Sequence, residues 1–374
     1  MQDILGIVNL THQREEALSD LTWNRCVGTL PFAANYKLVD FALSNLVNSG
    51  ITKAAVLSNV QSRELINHVS SGRTWGMERR RRGGLTVLPT VLDFGYMTGD
   101  VHKFHSHLDY LESCEEKYVI LTSSHVLCTE NYLQMRQVHE QRGAEVTLLY
   151  KPTDSMQEEV SLDCDVLTLD RKGYVIATEE AGMNRRGIQN VFLGTAMMSR
   201  TFLIDLIKKT YDEGIHTVLM NAVLENADQY DVFAHPYYGY TAHIDSAGSY
   251  LKHSLDLLKP QVWDQLFGGD HTIYTHAEES SPTHYSQQSI VRNSLIAGDC
   301  VIEGSVESSV IFSKVHIERG ARVKNCVILE GCTVPPGADL ENVILGPNGS
   351  ITPNVSSYEL VQVTMNQVDR GLLV

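Results

Sequence analysis

Apolar residues in this chain recur first at strand and helix spacings and, toward the C-terminal end, at every sixth position. Ile4-Leu5-Gly6-Ile7-Val8 is a short apolar run and predicts a buried strand. From Leu38 onward, Val39, Leu43, Leu46 and Val47 fall on one face of a helix, which Gly50 closes by taking φ > 0. Lys53-Ala54-Ala55-Val56-Leu57-Ser58 predicts the next strand. Strand, helix and strand in this order open a parallel α/β sheet. The alternation continues with a strand at Leu85–Leu88 and a central, buried one at Tyr118–Thr122. Between them, Asp100 stands where it would cap a helix whose buried stripe is Val101, Phe104, Leu108 and Leu111. A helix from Glu130 to Arg142, closed by Gly143, precedes a strand over Glu145–Tyr150. Val166–Leu169 and Tyr174–Ala177 flank the turn Asp170–Gly173 and predict a hairpin. Phe192–Ala196 adds a strand, and Ser246 would cap a helix over 247–258.

Composition shifts at 259–289, where Gly268-Gly269 and a Ser/Thr/His-rich run predict an interdomain linker. From Ile290 the period becomes six: Ile290, Ile296, Ile302; Ile311, Ile317, Val323; Ile328, Val334, Leu340. Short strands at a hexad period predict a parallel β-helix, whereas a β-sandwich would alternate at period two. The expected organisation is an α/β domain over 1–258, the linker, and a β-helix over 290–374.

A chain of 374 residues with 43% hydrophobic content has ample core for two domains. Its net charge of −15 disfavours nucleic acid and anionic membranes as bulk partners. No apolar run approaches the roughly 20 residues of a membrane span. The 7 cysteines are scattered, without C-x-x-C spacing, which points to a reduced, cytoplasmic protein without zinc. His102, His105 and His107 have no supporting ligand spacing elsewhere and are expected on a helix surface, so no metal site is expected. Arg79, Arg80, Arg81 and Arg82 suit a phosphorylated effector or an acidic partner surface, and equally a solvated loop.

Pro31-Phe32, the run Asn35-Tyr36-Lys37-Leu38-Val39-Asp40-Phe41-Ala42-Leu43-Ser44-Asn45, and Val47-Asn48-Ser49-Gly50-Ile51 resemble the opening of glucose-1-phosphate adenylyltransferase (ADP-glucose pyrophosphorylase). The resemblance covers nearly the whole chain. It implies a Rossmann-like nucleotidyltransferase domain with a mostly parallel sheet, followed by a left-handed parallel β-helix of hexapeptide repeats. That family carries a glycine-rich loop with an arginine, then a lysine, because backbone N–H groups must approach triphosphate oxygens while cations neutralise developing charge. Here no glycine occurs between Gly6 and Gly28, Ala17 falls at the arginine and Val27 at the lysine, and only Arg14 and Arg25 offer compensation. The Gly-Asp-His motif, whose aspartate holds Mg²⁺, becomes Ser123-Ser124-His125, with the histidine kept. The second metal aspartate becomes His243, with Asp245 two residues later as an offset ligand or, more in keeping with its place, a helix-start residue. Gly99 alone survives from a Gly-Thr-Ala-Asp-Ala motif, Gly194 is retained on the sugar-side strand, and the sugar-phosphate lysine is replaced within Thr178-Glu179-Glu180-Ala181-Gly182.

Scaffold letters are thus kept while reacting letters are lost. The resemblance implies a non-catalytic, D-type regulatory subunit, with no cofactor of its own. Mg²⁺ and ATP would belong to a catalytic partner, assembled with it as a heterotetramer that makes ADP-glucose for glycogen. Gly99, His125, Gly194, Asp245 and the four arginines are the candidates for binding a sugar-phosphate or nucleotide effector. Three other readings stay open: an active adenylyltransferase with a rebuilt site, a stand-alone sugar-phosphate sensor, and a hexapeptide acyltransferase, for which His316 is the only histidine after Ile290.

Overall fold

The computed structural model describes residues 3–11, 18–22, 25–58, 63–69, 72–78, 83–89, 99–154, 164–181, 187–269, 271–276 and 279–349. The main elements of the α/β part are β1 (Ile4–Asn9), α1 (Leu38–Asn48), β2 (Lys53–Ser58), β3 (Gly84–Pro89), α2 (Val101–Ser106), β4 (Tyr118–Ser123), α3 (Tyr132–Arg142) and β5 (Val146–Asp154). It continues with β6 (Asp165–Leu169), β7 (Val175–Glu180), β8 (Ile188–Ser199), α4 (Arg200–Glu213), α5 (Leu219–Leu224), β9 (Val232–Pro236), α6 (Ala247–Asp256) and α7 (Pro260–Phe267). Among the described residues these strands form a nine-stranded sheet along β7-β6-β8-β4-β1-β2-β3, with β5 pairing β8 and β9 pairing β5. All but β7 and β8 run in one direction.

Strand alternation divides the apolar residues between two faces. Leu5, Ile7, Ala55, Leu57, Val119 and Leu121 meet α2, α4 and α5 through Val101, Phe104, Leu203, Ile207 and Leu219. Ile4, Val8, Ala54, Val56, Tyr118 and Ile120 meet α1 and α3 through Val39, Leu43, Leu46, Tyr132 and Met135. The helix expected as one stripe from Val101 to Leu111 breaks at His107 into α2 and a second turn over Leu108–Ser113. His102 and His105 lie against Tyr211, with ring centroids at 4.9 and 3.6 Å. No helix among the described residues is long and apolar enough to cross a membrane.

The C-terminal part has three four-stranded parallel sheets, one per face of a triangular coil. Ile302, Ile317 and Val334 stack on one face, Val306, Val323 and Leu340 on the second, Ile311, Ile328 and Leu345 on the third. Asn293, Ser308, Asn325 and Asn342 occupy equivalent corners with φ of 43, 47, 51 and 58°, a left-handed conformation that asparagine tolerates better than most residues. Coil pairing begins ahead of residue 290, since His284–Tyr285 already pairs with Val301–Ile302. The hexad phase slips at Ile290, which is 51% exposed. Its neighbour Val291 is the residue in register with Val306 and Val323.

The segment between the two parts is tied down. Proline at the first position of α7 starts a helix in it. Further on, Asn48 donates to the Thr272 carbonyl at 3.0 Å, and Tyr274 N–H donates to Ser44 Oγ at 2.9 Å. A single apolar cluster runs from Leu21, Val27, Leu30, Phe32 and Phe41 through Tyr250 and Leu266 into Val310, Phe312, Val327 and Leu329 of the coil. Arg25 joins the same two parts, pairing with Glu330 of the coil and, at 3.4 Å, with Glu64. It is therefore engaged in the framework and not held in reserve for a phosphate.

One buried acid makes stability pH-dependent. Glu130, expected at the start of a helix, precedes α3; Asn131 supplies the N-cap, and Asn131 N–H donates to Glu130 Oε1 at 2.9 Å. Burial pushes the Glu130 carboxyl up from 4.5 to about 7. The folded state thus binds the proton more tightly than the unfolded state, so this group destabilises progressively as pH rises from about 4.5 to about 7. Glu130→Gln keeps an acceptor for Asn131 and removes the titration. It is expected to be more stable than the parent by about 2–3 kcal/mol at about pH 8 and no more stable at about pH 4, measured by urea unfolding.

Candidate functional site

The carboxyl ends of β1 and β4 open into a cleft, the place where α/β sheets bind ligands. Asn9, Thr11, Ser123, His125, Gly194 and His243 contribute to it from the sheet side. Cys164, Asp165, Glu180, Asp100 and Asn221 close it from the other elements, leaving about 180 Å³.

Asp100 organises the floor. Its side chain does not cap α2. Instead it accepts from Asn9 Nδ2 at 2.6 Å and from Leu219 N–H at 2.7 Å, joining β1, α2 and α5. Burial raises its carboxyl, opposed by those two donors and by the charge of Lys103. The Asp100 and Val101 N–H groups both donate to the Thr217 carbonyl, and Gly99 makes this approach feasible. Its φ is +110°, and a Cβ there would lie 2.2 Å from the Thr217 oxygen. Gly194 does the same at the rim, where β8 breaks register between Phe192 and Ala196. With φ +64°, an added Cβ would stand 2.6 Å from Ser123 Oγ. Gly194→Ala is expected to cost about 1–3 kcal/mol in urea unfolding, from left-handed strain plus the clash. Adding Ser123→Ala should recover only the steric part.

The acidic side of the cleft carries no signal in the local sequence. Asp165 and Glu180 are cross-strand partners on β6 and β7, and both line the cavity. Burial, then Glu180 and Glu225, push the Asp165 carboxyl up to about 6. No lysine or arginine lines the cleft among the described residues. Opposite, Cys164 Sγ lies 3.1 Å from His243 Nδ1. Burial first, and then the neighbouring His253, push the His243 imidazole down to about 4, so it is neutral near pH 7.

The expected positions distribute unevenly. His125, Gly194 and His243 line the cleft. Val27 does not: it sits in the apolar cluster, 2% exposed. Ser124 is buried and not among the lining residues, while its neighbours Ser123 and His125 are. Asp245 lies at the start of α6, where its N–H donates to Ser249 Oγ at 3.0 Å and its Oδ1 accepts from Ser246 Oγ at 3.1 Å. Ala17, Arg14, Arg79, Arg80, Arg81 and Arg82 lie outside the described residues. A Mg²⁺ held between Ser124 and His243, the positions at which the resemblance expects aspartates, would meet a buried hydroxyl and an imidazole turned to a thiol. That donor set does not suit a cation that demands oxygen ligands in strict geometry.

Comparison with known proteins agrees with this framework. A family profile described as nucleotidyl transferase matches residues 16–160, and one described as GlmU-like, C-terminal hexapeptide matches residues 280–357. The glycogen biosynthesis protein GlgD of Bacillus subtilis (strain 168) is 30% identical over 322 residues, 86% of this chain and 82% of that protein. GlgD of Geobacillus stearothermophilus is likewise 30% identical, with the same coverage of each chain. Glucose-1-phosphate adenylyltransferase of Bacillus cereus (strain Q1) is 27% identical, covering 88% of both chains. The chain belongs to the GlgD family of glycogen biosynthesis proteins, related to glucose-1-phosphate adenylyltransferase and built from a nucleotidyltransferase domain and a hexapeptide β-helix.

Proposed function

We propose that this chain is a regulatory, catalytically impaired subunit that assembles with a catalytic glucose-1-phosphate adenylyltransferase and tunes ADP-glucose synthesis for glycogen. The observation that carries this reading is the state of the reacting positions. Val27 is core, Ser124 is buried away from the cleft, and His243 faces a thiol, while among the described residues the nine-stranded sheet and the β-helix are both formed. A scaffold kept whole while its chemistry is dismantled has a use as a binding surface.

ATP and Mg²⁺ then belong to the partner, and any effect of this chain must appear in the partner's kinetics. An effector or subunit can shift those kinetics only by its differential affinity for two states of the assembly, typically about 1–3 kcal/mol or about 5–150-fold. The surface offered to a partner includes the open end of the β-helix, where Tyr285, Ile290 and Val291 are exposed on strands of the first coil. Exposed strand edges of this kind are usually covered in soluble proteins.

The test is to mix the chain with the adenylyltransferase from the same genome and follow size by sedimentation and rate by substrate titration. Mixed oligomers with shifted apparent affinity are expected, and Ile290→Asp, whose side chain lies outside the apolar stack of the coil, should weaken them without unfolding the chain. Unchanged sedimentation and unchanged titration curves would overturn the reading. Replacing Arg79 to Arg82 by serine in the same assembly tests their effector role, with altered activation as the expected result.

A further inference from the structure

All 7 cysteines are outside disulfides, but they are not equivalent: 6 are buried, and Cys164 alone is not. Burial pushes the Cys128 and Cys332 thiols up to about 12 and Cys326 up to about 11, which leaves them chemically silent near neutral pH. Cys164 instead lines the cleft, with Sγ 3.1 Å from His243 Nδ1. Ser123 lines the same cavity, and its buried Oγ has no hydrogen-bond partner among the described residues.

We infer that Cys164 is a thiol-modification site, at which a low-molecular-weight disulfide forms a mixed disulfide lodged in the cleft. With Nδ1 unprotonated, the neutral His243 ring stands where it can accept the thiol proton as attack proceeds. The charged or titratable groups acting on that ring are His253, Asp245 and Lys151. As Cys164 Sγ bonds to one sulfur of the incoming disulfide, the disulfide's S–S bond breaks. The thiol proton passes to His243 Nδ1 and on to the departing thiolate. One disulfide is exchanged for another, with no further oxidant. The inference does not depend on the subunit proposal, since it concerns this chain alone.

The test uses the native full-length chain with an aromatic disulfide that releases a coloured thiolate, and separately with oxidised glutathione. One thiol per chain is expected to react in a fast phase, with the other 6 reacting only on unfolding. Peptide mapping by mass spectrometry should place the glutathione adduct on Cys164, and Cys164→Ser should abolish the fast phase. His243→Gln, checked for native circular dichroism, should slow it by about tenfold, less than an acceptor with a pKa near the operating pH would supply. A fast phase that survives in Cys164→Ser, or no reactive thiol in the native chain, would overturn the site. Equal rates in His243→Gln and parent would overturn the proton transfer.

Discussion

Truncating Tyr250 to alanine is expected to lower the free energy of unfolding by about 3–5 kcal/mol, among the largest losses available to a single substitution in this chain. Tyr250 is fully buried on α6, in the cluster that fuses the α/β domain to the β-helix. Its ring lies 6.5 Å from that of Phe32, and its hydroxyl donates to the Pro31 carbonyl at 2.6 Å. Tyr250→Phe removes only that hydrogen bond and should cost about 1–2 kcal/mol. Urea unfolding of both variants separates the packing from the polar part. A loss below about 1 kcal/mol for the alanine variant would mean that this cluster does not couple the two parts. The same cluster means that deleting the β-helix would expose Leu266, Phe32 and their neighbours, so point changes at the coil's open end are the sounder test of assembly.

Much of this architecture is legible in the chain. The change of period from helix and strand to six announces both parts, because each buried face imposes its own repeat on the letters. The slip at Ile290 has a plain cause. Corners run from 291 to 296, 306 to 311, 323 to 328 and 340 to 345, one residue shorter than a strict hexad, so counting back by six from Ile296 lands outside the core. Segment 259–289 reads as a linker because Gly268-Gly269 and its Ser, Thr and His content break local periodicity. Its anchorage depends on Ser44 and Asn48, more than two hundred residues away.

The cleft was legible only in part. His125, Gly194 and His243 could be placed by motif register, since a motif fixes positions along strand ends. Asp100 before a helix looks like a cap, yet Asn9 and the Leu219 amide compete for its carboxylate from distant elements. Cys164, Asp165 and Glu180 carry no local signal, because what makes them cleft residues is the pairing of β6 with β7 and the approach of His243. Arg25 is the converse case: a cation near the expected phosphate loop that the fold commits to Glu64 and Glu330.

The other large effect concerns chemistry. Oxyanion and phosphate stabilisers each contribute about 10² to 10³ in rate, and their joint loss is not recovered by restoring one or two. Val27→Lys would also place a charge in a position 2% exposed, so Val27→Lys with Ser124→Asp is expected to destabilise the chain and not to restore transfer. The most direct measurement is ADP-glucose formation by the pure, partner-free chain supplied with ATP, glucose 1-phosphate and Mg²⁺, beside a catalytic relative under the same conditions. Turnover at least about 10³-fold below the relative's is expected. Turnover within about tenfold of the relative's would contradict it.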